Sequence, residues 1–135
     1  VTIVNLGLGD SEGSTTIHYN PKQSGLTSIV SDFKNNTLTE EIKITTLDKF
    51  AENISGRVSF IKIDTGGYEP QVLKGARELI NRDKPTIYIE LGGDYQTSSA
   101  EAIKILKELN YYCDAENLDL SKIPAGVNFI ATPKN

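Results

Sequence analysis

Apolar residues recur along this chain in two rhythms, one of period two and one of three and four. The first marks half-buried strands and the second amphipathic helices. Period two holds at 1–5, at 15–19, where Ile17 and Tyr19 alternate with Thr16 and His18, and at 41–45, where Ile42 and Ile44 flank Lys43. The spacing predicts a strand at each, the last two paired as a hairpin. Between them, 20–39 is rich in Ser, Asn, Gly, Lys and Thr, with Leu26, Ile29, Val30 and Phe33 scattered through it. So long a connection in a compact domain is usually functional or mobile. Thr46 then stands as the N-cap of a short helix, 47–51, with Leu47 and Phe50 turned inward.

The second half changes rhythm. Residues 58–63 form an apolar, β-branched run, which predicts a strand buried on both faces. It ends on Asp64 and turns through Gly66-Gly67, where positive φ costs little. Val72, Leu73, Ala76, Leu79 and Ile80 predict a helix over 70–81, with Pro70 in its first turn. Residues 81–85 stop it, and 86–91 read as a second buried strand, again with an acidic end, Glu90. A further helix begins at Ser98 and Ser99. It carries an apolar stripe of Ala102, Ile103, Leu106 and Leu109, opposite Lys104, Lys107 and Glu108. Residues 111–115 and 127–132 close the chain as an antiparallel strand pair. Right-handed crossovers then give an α/β fold.

In such a sheet, ligands bind beyond the carboxyl ends of the strands. Asp64 and Glu90 end neighbouring strands and should share that rim, with Asp94 and Glu69 within reach. Two carboxylates there support two chemistries. A carboxylate whose proton affinity is raised by a like-charged neighbour can take a proton from a hydroxyl; alternatively the oxygens can hold a divalent cation. Asp64 capping the glycine turn, and Glu69 answering the helix dipole, are the bland readings. His18, the only histidine, has no Cys, Asp or Glu at ligand spacing and reads as a solvated strand residue. The Gly7-x-Gly9 turn precedes no helix pattern, so it is not read as a phosphate loop.

The stretch Ile61-Lys62-Ile63-Asp64-x-x-Gly67-Tyr68-Glu69-x-x-Val72-Leu73-Lys74-Gly75-Ala76 resembles the signature of the FkbM-like S-adenosylmethionine-dependent methyltransferases, K-I-D-V-E-G-x-E-x-x-V-L-x-G-A. Thr46-Leu47-Asp48 is similar to the T-L-D before it, and Pro85 to Glu90 to the P-x-I-x-x-E after it. The resemblance implies a Rossmann-like S-adenosylmethionine-methyltransferase sheet, represented by its C-terminal part, with a β-hairpin excursion. It implies methyl transfer to an oxygen of a sugar or secondary metabolite, with Asp64 and Glu90 catalytic at the acceptor edge. Tyr68 and Asp94 would touch the acceptor. Asp10, in a segment similar to the family's N-x-A-L-G-D-x-x-G, would lie near the cofactor's adenine. One departure stands out: Thr65-Gly66 replaces the family's Val-Glu.

Neither a G-x-G-x-G turn nor an acidic ribose ligand is found, there is no methionine, and Val1 already lies in a strand pattern. The expectation is a single domain over 1–135 that forms part of a larger one, with 20–40 as a variable excursion and the S-adenosylmethionine site incomplete. A strand edge left open by missing neighbours would favour a homodimer. A non-catalytic remnant that binds a partner or saccharide is the rival reading. A metal-dependent hydrolase is weaker, since no histidine joins the acidic rim. A net charge of −4 argues against nucleic acid and anionic membrane. The single cysteine, Cys113, excludes an internal disulfide and suits the reducing cytoplasm.

Overall fold

A computed structural model describes residues 1–21, 23–29 and 38–135. Among them the chain builds two four-stranded sheets. The first holds β1 (Gly7–Leu8), β2 (Gly13–Asn20), β3 (Gln23–Ser28) and β4 (Leu38–Thr45), in the order β1-β4-β2-β3. β2 runs antiparallel to β4 from Gly13 opposite Ile44 to Tyr19 opposite Leu38, which is the pairing that the alternating patterns predict. β3 joins the other edge of β2 and comes from within the excursion. It carries no alternating apolar face, which is why period two does not reveal it. Val30 and Phe33 lie outside the described residues.

The strand expected at 1–5 does not form. Val1 and Ile3 are fully open to solvent, and only Gly7 and Leu8 pair, parallel to Ile44 and Thr45. A period-two pattern becomes a strand only where a neighbour supplies hydrogen bonds, and among the described residues none lies beside 1–5. The short helix follows the prediction. α1 (Leu47–Ala51) is capped by Thr46, whose hydroxyl accepts the Lys49 N–H at 3.1 Å.

The second sheet holds β5 (Phe60–Ile63), β6 (Thr86–Glu90), β7 (Tyr111–Cys113) and β8 (Asn128–Pro133), ordered β5-β6-β8-β7. β5 and β6 are parallel, and β8 runs antiparallel to both β6 and β7, as the closing pair predicts. Against expectation, β5 is not buried on both faces. It is the edge strand; Ile63 is buried, Lys62 is exposed, and Phe60 is 57% exposed, stacked on Tyr88 at 6.5 Å. Ile61 and Ile63 face the helices, while Phe60 and Lys62 face the open side, so the run was half-buried and not doubly buried.

The core lies between the inner face of this sheet and α2 (Glu69–Lys74), α3 (Arg77–Asp83) and α4 (Gln96–Glu108). Leu73, Ile80, Ile87, Ile89 and Leu106 lose essentially all solvent contact there; each such burial contributes about 1.5–3 kcal/mol. Tyr111 brings a hydroxyl into this core and satisfies it on the Pro85 carbonyl at 2.8 Å.

The helix expected over 70–81 is broken at Gly75 and Ala76 into α2 and α3. Asp48 explains the break. Its carboxylate accepts the Glu78 and Leu79 N–H groups at 3.1 and 2.8 Å, capping α3 from outside. Its own N–H donates to the Gly75 carbonyl at 2.8 Å. The apolar rhythm crosses the break without a phase change, so periodicity alone reads one helix. α4 also differs: it starts at Gln96, and Ser99 sits inside it, accepting the Gly92 N–H at 2.9 Å.

Asp83 ties the end of α3 to the approach to β5. It is 6% exposed and accepts two bonds from Arg82 and one from the Val58 N–H at 2.9 Å. The Arg82 guanidinium, then the Val58 N–H, hold its carboxyl down at about 2, below the ordinary 3.8. A depressed folded-state value means stability present above the unfolded value and lost as pH falls through the folded one. Urea unfolding between about pH 4 and pH 2 is therefore expected to show a steep loss in the wild type and a flatter one in Asp83→Asn.

Candidate functional site at the carboxyl rim

The parallel register of β5 and β6 sets Ile63 opposite Ile89, so the next residues, Asp64 and Glu90, emerge side by side at the carboxyl rim. The two carboxyls stand close enough to shift each other's proton affinity. Their surroundings set the two apart. Lys62 lies two residues before Asp64 on the same face of β5, and its Nζ donates to Asp64 Oδ2 at 2.8 Å. That bond lowers the Asp64 carboxyl below the ordinary aspartate range, against some burial. Glu90 moves the other way. Burial raises it first, the neighbouring Asp64 raises it further, and the Gly126 N–H on its Oε1 at 3.1 Å partly opposes them. This divergence is the pattern of an acid–base site.

Beyond Asp64, the glycine turn is held from an unexpected direction. Glu69, at the start of α2, is 3% exposed. Its Oε1 accepts the Thr65 N–H at 3.0 Å, the Thr65 hydroxyl at 2.8 Å and the Gly67 N–H at 3.2 Å. The turn is fastened by Glu69, whereas the bland sequence reading gave that task to Asp64. Gly66 and Gly67 take φ of +63° and +98°, and a Cβ on Gly67 would meet the Tyr95 ring at 2.5 Å.

Two larger hollows open on this part of the surface, and only one reaches the rim. One, of about 430 Å³, lies between Leu6, Gly7 and Leu8 of the β1 segment and Lys62, Ile63, Asp64 and Thr65, with Val72 behind. The other, of about 600 Å³, lies around α1 and α3 and includes Asp10, Asp48 and Lys74. Asp10 therefore opens on the second hollow and not on the one that holds Asp64. Tyr68 is half-buried against Gly9, and its hydroxyl is raised by burial and then by the charge of Asp10. Tyr68 and Asp10 form one neighbourhood and Asp64 and Glu90 another. Asp94 is exposed on the loop after β6; its neighbour Tyr95 lines the crevice beside Glu90. Sequence reasoning missed Tyr95 and Gly126. Tyr95 stood next to a residue already singled out, while Gly126 lies 36 residues from Glu90 and leaves no local signal.

Among the described residues, no group of three or more His, Cys, Asp or Glu is placed to hold a metal ion. None of their helices is long and apolar enough to cross a membrane. His18 is half-buried on β2, in the first sheet, and is not the solvated residue expected.

The model of the methyltransferase FkbM domain matches residues 1–113. The chain belongs to the FkbM methyltransferase domain family. Among solved structures it is similar to a methyltransferase FkbM from Methylobacillus flagellatus KT, with a TM-score of 0.57 and 19% identity. That match covers 97% of this chain and 28% of the other, so the chain spans little more than a quarter of that relative's length. A search of curated proteins found no significant match.

Proposed function

We propose that this chain is the C-terminal, acceptor-side part of a Rossmann-like, S-adenosylmethionine-dependent methyltransferase acting on a hydroxyl oxygen of a sugar or secondary metabolite. The observation that carries the reading is the placement of Asp64 and Glu90 side by side at the carboxyl rim, with Lys62 bonded to Asp64 at 2.8 Å. Methyl transfer to a hydroxyl demands in-line placement of the acceptor and an acceptor for its proton. Glu90, with its raised proton affinity, takes that proton, and Asp64 orients the hydroxyl. Asp94, on the loop at the same end of β6, flanks the entrance. Tyr68 closes the side nearer β1.

The residues present fit one part of the cofactor. The crevice between Leu6–Leu8 and Asp64 is about 430 Å³, within the range of about 300–1,000 Å³ that holds small ligands. Its apolar wall of Leu6, Leu8 and Val72 suits a nucleoside, with the Lys62–Asp64 ion pair at its polar end. The nucleoside would lie over Leu6–Leu8. When bound, S-adenosylmethionine supplies the methyl group; everything else in this reading is done by the chain's own side chains.

A second reading, a module that pairs with another copy through β5, is favoured by the edge position of that strand and its exposed Phe60. Isothermal titration with S-adenosylmethionine and S-adenosylhomocysteine, together with light scattering, separates the two. Binding tighter than about 100 μM, roughly 5.5 kcal/mol, is expected for the enzyme reading. A dimer without detectable binding would instead support the module.

A further inference from the structure

Glu90 and Asn128 stand directly opposite each other on the antiparallel strands β6 and β8. Residues paired in this way share one face of a sheet, with Cβ atoms about 4.5–5.5 Å apart. A second link joins them through the loop before β8. The Gly126 N–H donates to Glu90 Oε1 at 3.1 Å, and the Gly126 carbonyl accepts from Asn128 Nδ2 at 3.3 Å. A carbonyl only accepts, so this bond settles which end of the amide is nitrogen and which is Oδ1.

Asn128 Oδ1 is buried and has no hydrogen-bond partner among the described residues. A buried acceptor left unfilled is costly, and in a folded protein it calls for a physical account. Being closed to solvent, Oδ1 is out of reach of a bound acceptor, so the donor comes from the chain. Glu90, across the ladder, offers a donor in only one of its two states. Ionised, it has acceptors alone; protonated, it has one O–H. Oε1 is engaged by Gly126, which leaves Oε2 for the proton.

We propose that Asn128 is a positioning residue for the proton step: Glu90 Oε2 takes the acceptor's hydroxyl proton and donates it in a hydrogen bond to Asn128 Oδ1. The acceptor's O–H bond breaks, an O–H bond forms on Glu90, and the electron pair stays on the acceptor oxygen for its new bond to carbon. Because the bond to Asn128 exists only in the protonated state, it favours the outcome of proton transfer over its start. Asp64 is the rival partner for this proton, but its side chain is 42% exposed and its Oδ2 already accepts from Lys62. It is not short of donors. The inference rests on Glu90 as the base, whereas its test needs no turnover. The titratable groups around Glu90 are Asp64 and Lys62 on β5, Glu69 on α2, Tyr88 on its own strand and Tyr95 beside the crevice. Asn128, from β8, adds no charge to them.

Carbon NMR of the chain labelled at Asn, Asp and Glu follows the Glu90 titration directly. Asn128→Leu keeps roughly the shape and removes the acceptor. Glu90 should then bind its proton roughly two- to tenfold more weakly, a fall of about 0.3–1 in its midpoint pH, for one lost hydrogen bond. The Gly126 amide signal should stay in place. Leucine brings no charge and no loss of burial, so a merely structural role would leave the midpoint unmoved or raise it. Either of those results overturns the proposal, and means that the proton is shared with Asp64 or that a buried water serves Oδ1. The wild type decides if the variant does not fold. Its Asn128 side-chain carbonyl carbon should move downfield as Glu90 takes its proton, and a signal flat through that transition overturns the proposal equally. Failure of the base reading shows separately, as wild-type turnover in Glu90→Gln with these titrations intact.

Discussion

Gly75→Ala is expected to destabilise the fold by about 3 kcal/mol, roughly 10 °C in Tm. A Cβ at Gly75 would overlap the backbone carbonyl oxygen of Gly9 and press on the Thr46 side chain at 3.2 Å. Backbone cannot rotate away as a side chain can. The contact also joins two parts of the fold: Gly9 follows β1 in the first sheet, and Gly75 is the hinge between α2 and α3. Its carbonyl takes the Asp48 N–H, so displacing Gly75 also disturbs the residue that caps α3. Gly9→Ala is the informative contrast. A Cβ there meets the Ile44 side chain at 3.0 Å and the Tyr68 ring at 3.4 Å, and both can yield by a few tenths of an ångström. Its cost should be less than half as large. Thermal or urea unfolding of the two variants decides the point, and equal losses would sink the argument from backbone contact.

Glu90→Gln is expected to lower methyl transfer by about 10²–10⁴-fold, the usual range for removing a general base. The amide keeps the shape but cannot accept the hydroxyl proton. The pH dependence sharpens the test. A base works when ionised, so the rate should rise with pH as Glu90 loses its proton, above the ordinary glutamate range because burial and Asp64 raise it. Asp64→Asn removes the neighbouring charge, and the rising limb should then move to lower pH. Rates measured with radiolabelled S-adenosylmethionine across pH would show it. A Glu90→Gln protein with wild-type turnover would remove Glu90 from the mechanism.

The candidate site was legible because its two carboxylates follow strands that are visible in the apolar pattern. Asp64 just after β5 and Glu90 at the end of β6 are local facts of sequence, and parallel pairing of the strands is enough to bring them together. Their division of labour was not legible. It depends on Lys62 pointing to Asp64 and not to solvent, on the depth of Glu90, and on a Gly126 N–H delivered by a distant loop. Glu69 shows the same limit: its place in a helix's first turn predicts a dipole role, while its buried carboxylate fastens the preceding turn.

By itself the sequence determined what depends on neighbours along the chain. The Thr46 cap, the β2–β4 pairing, the α4 stripe and the acidic strand ends all follow from periodicity and capping chemistry, as does membership of the family through residues 61–76. Tertiary structure decided what depends on partners across space. Residues 1–5 alternate correctly yet stay unpaired, since among the described residues no strand lies beside them. Residues 70–81 keep one helical rhythm yet break, because Asp48 and Gly9 arrive at the hinge. The run at 58–63 became an edge strand because β6 is the one strand paired with it among those described. In each case a local pattern states what a segment is able to form, and the donors, acceptors and surfaces brought by other segments settle what it does form.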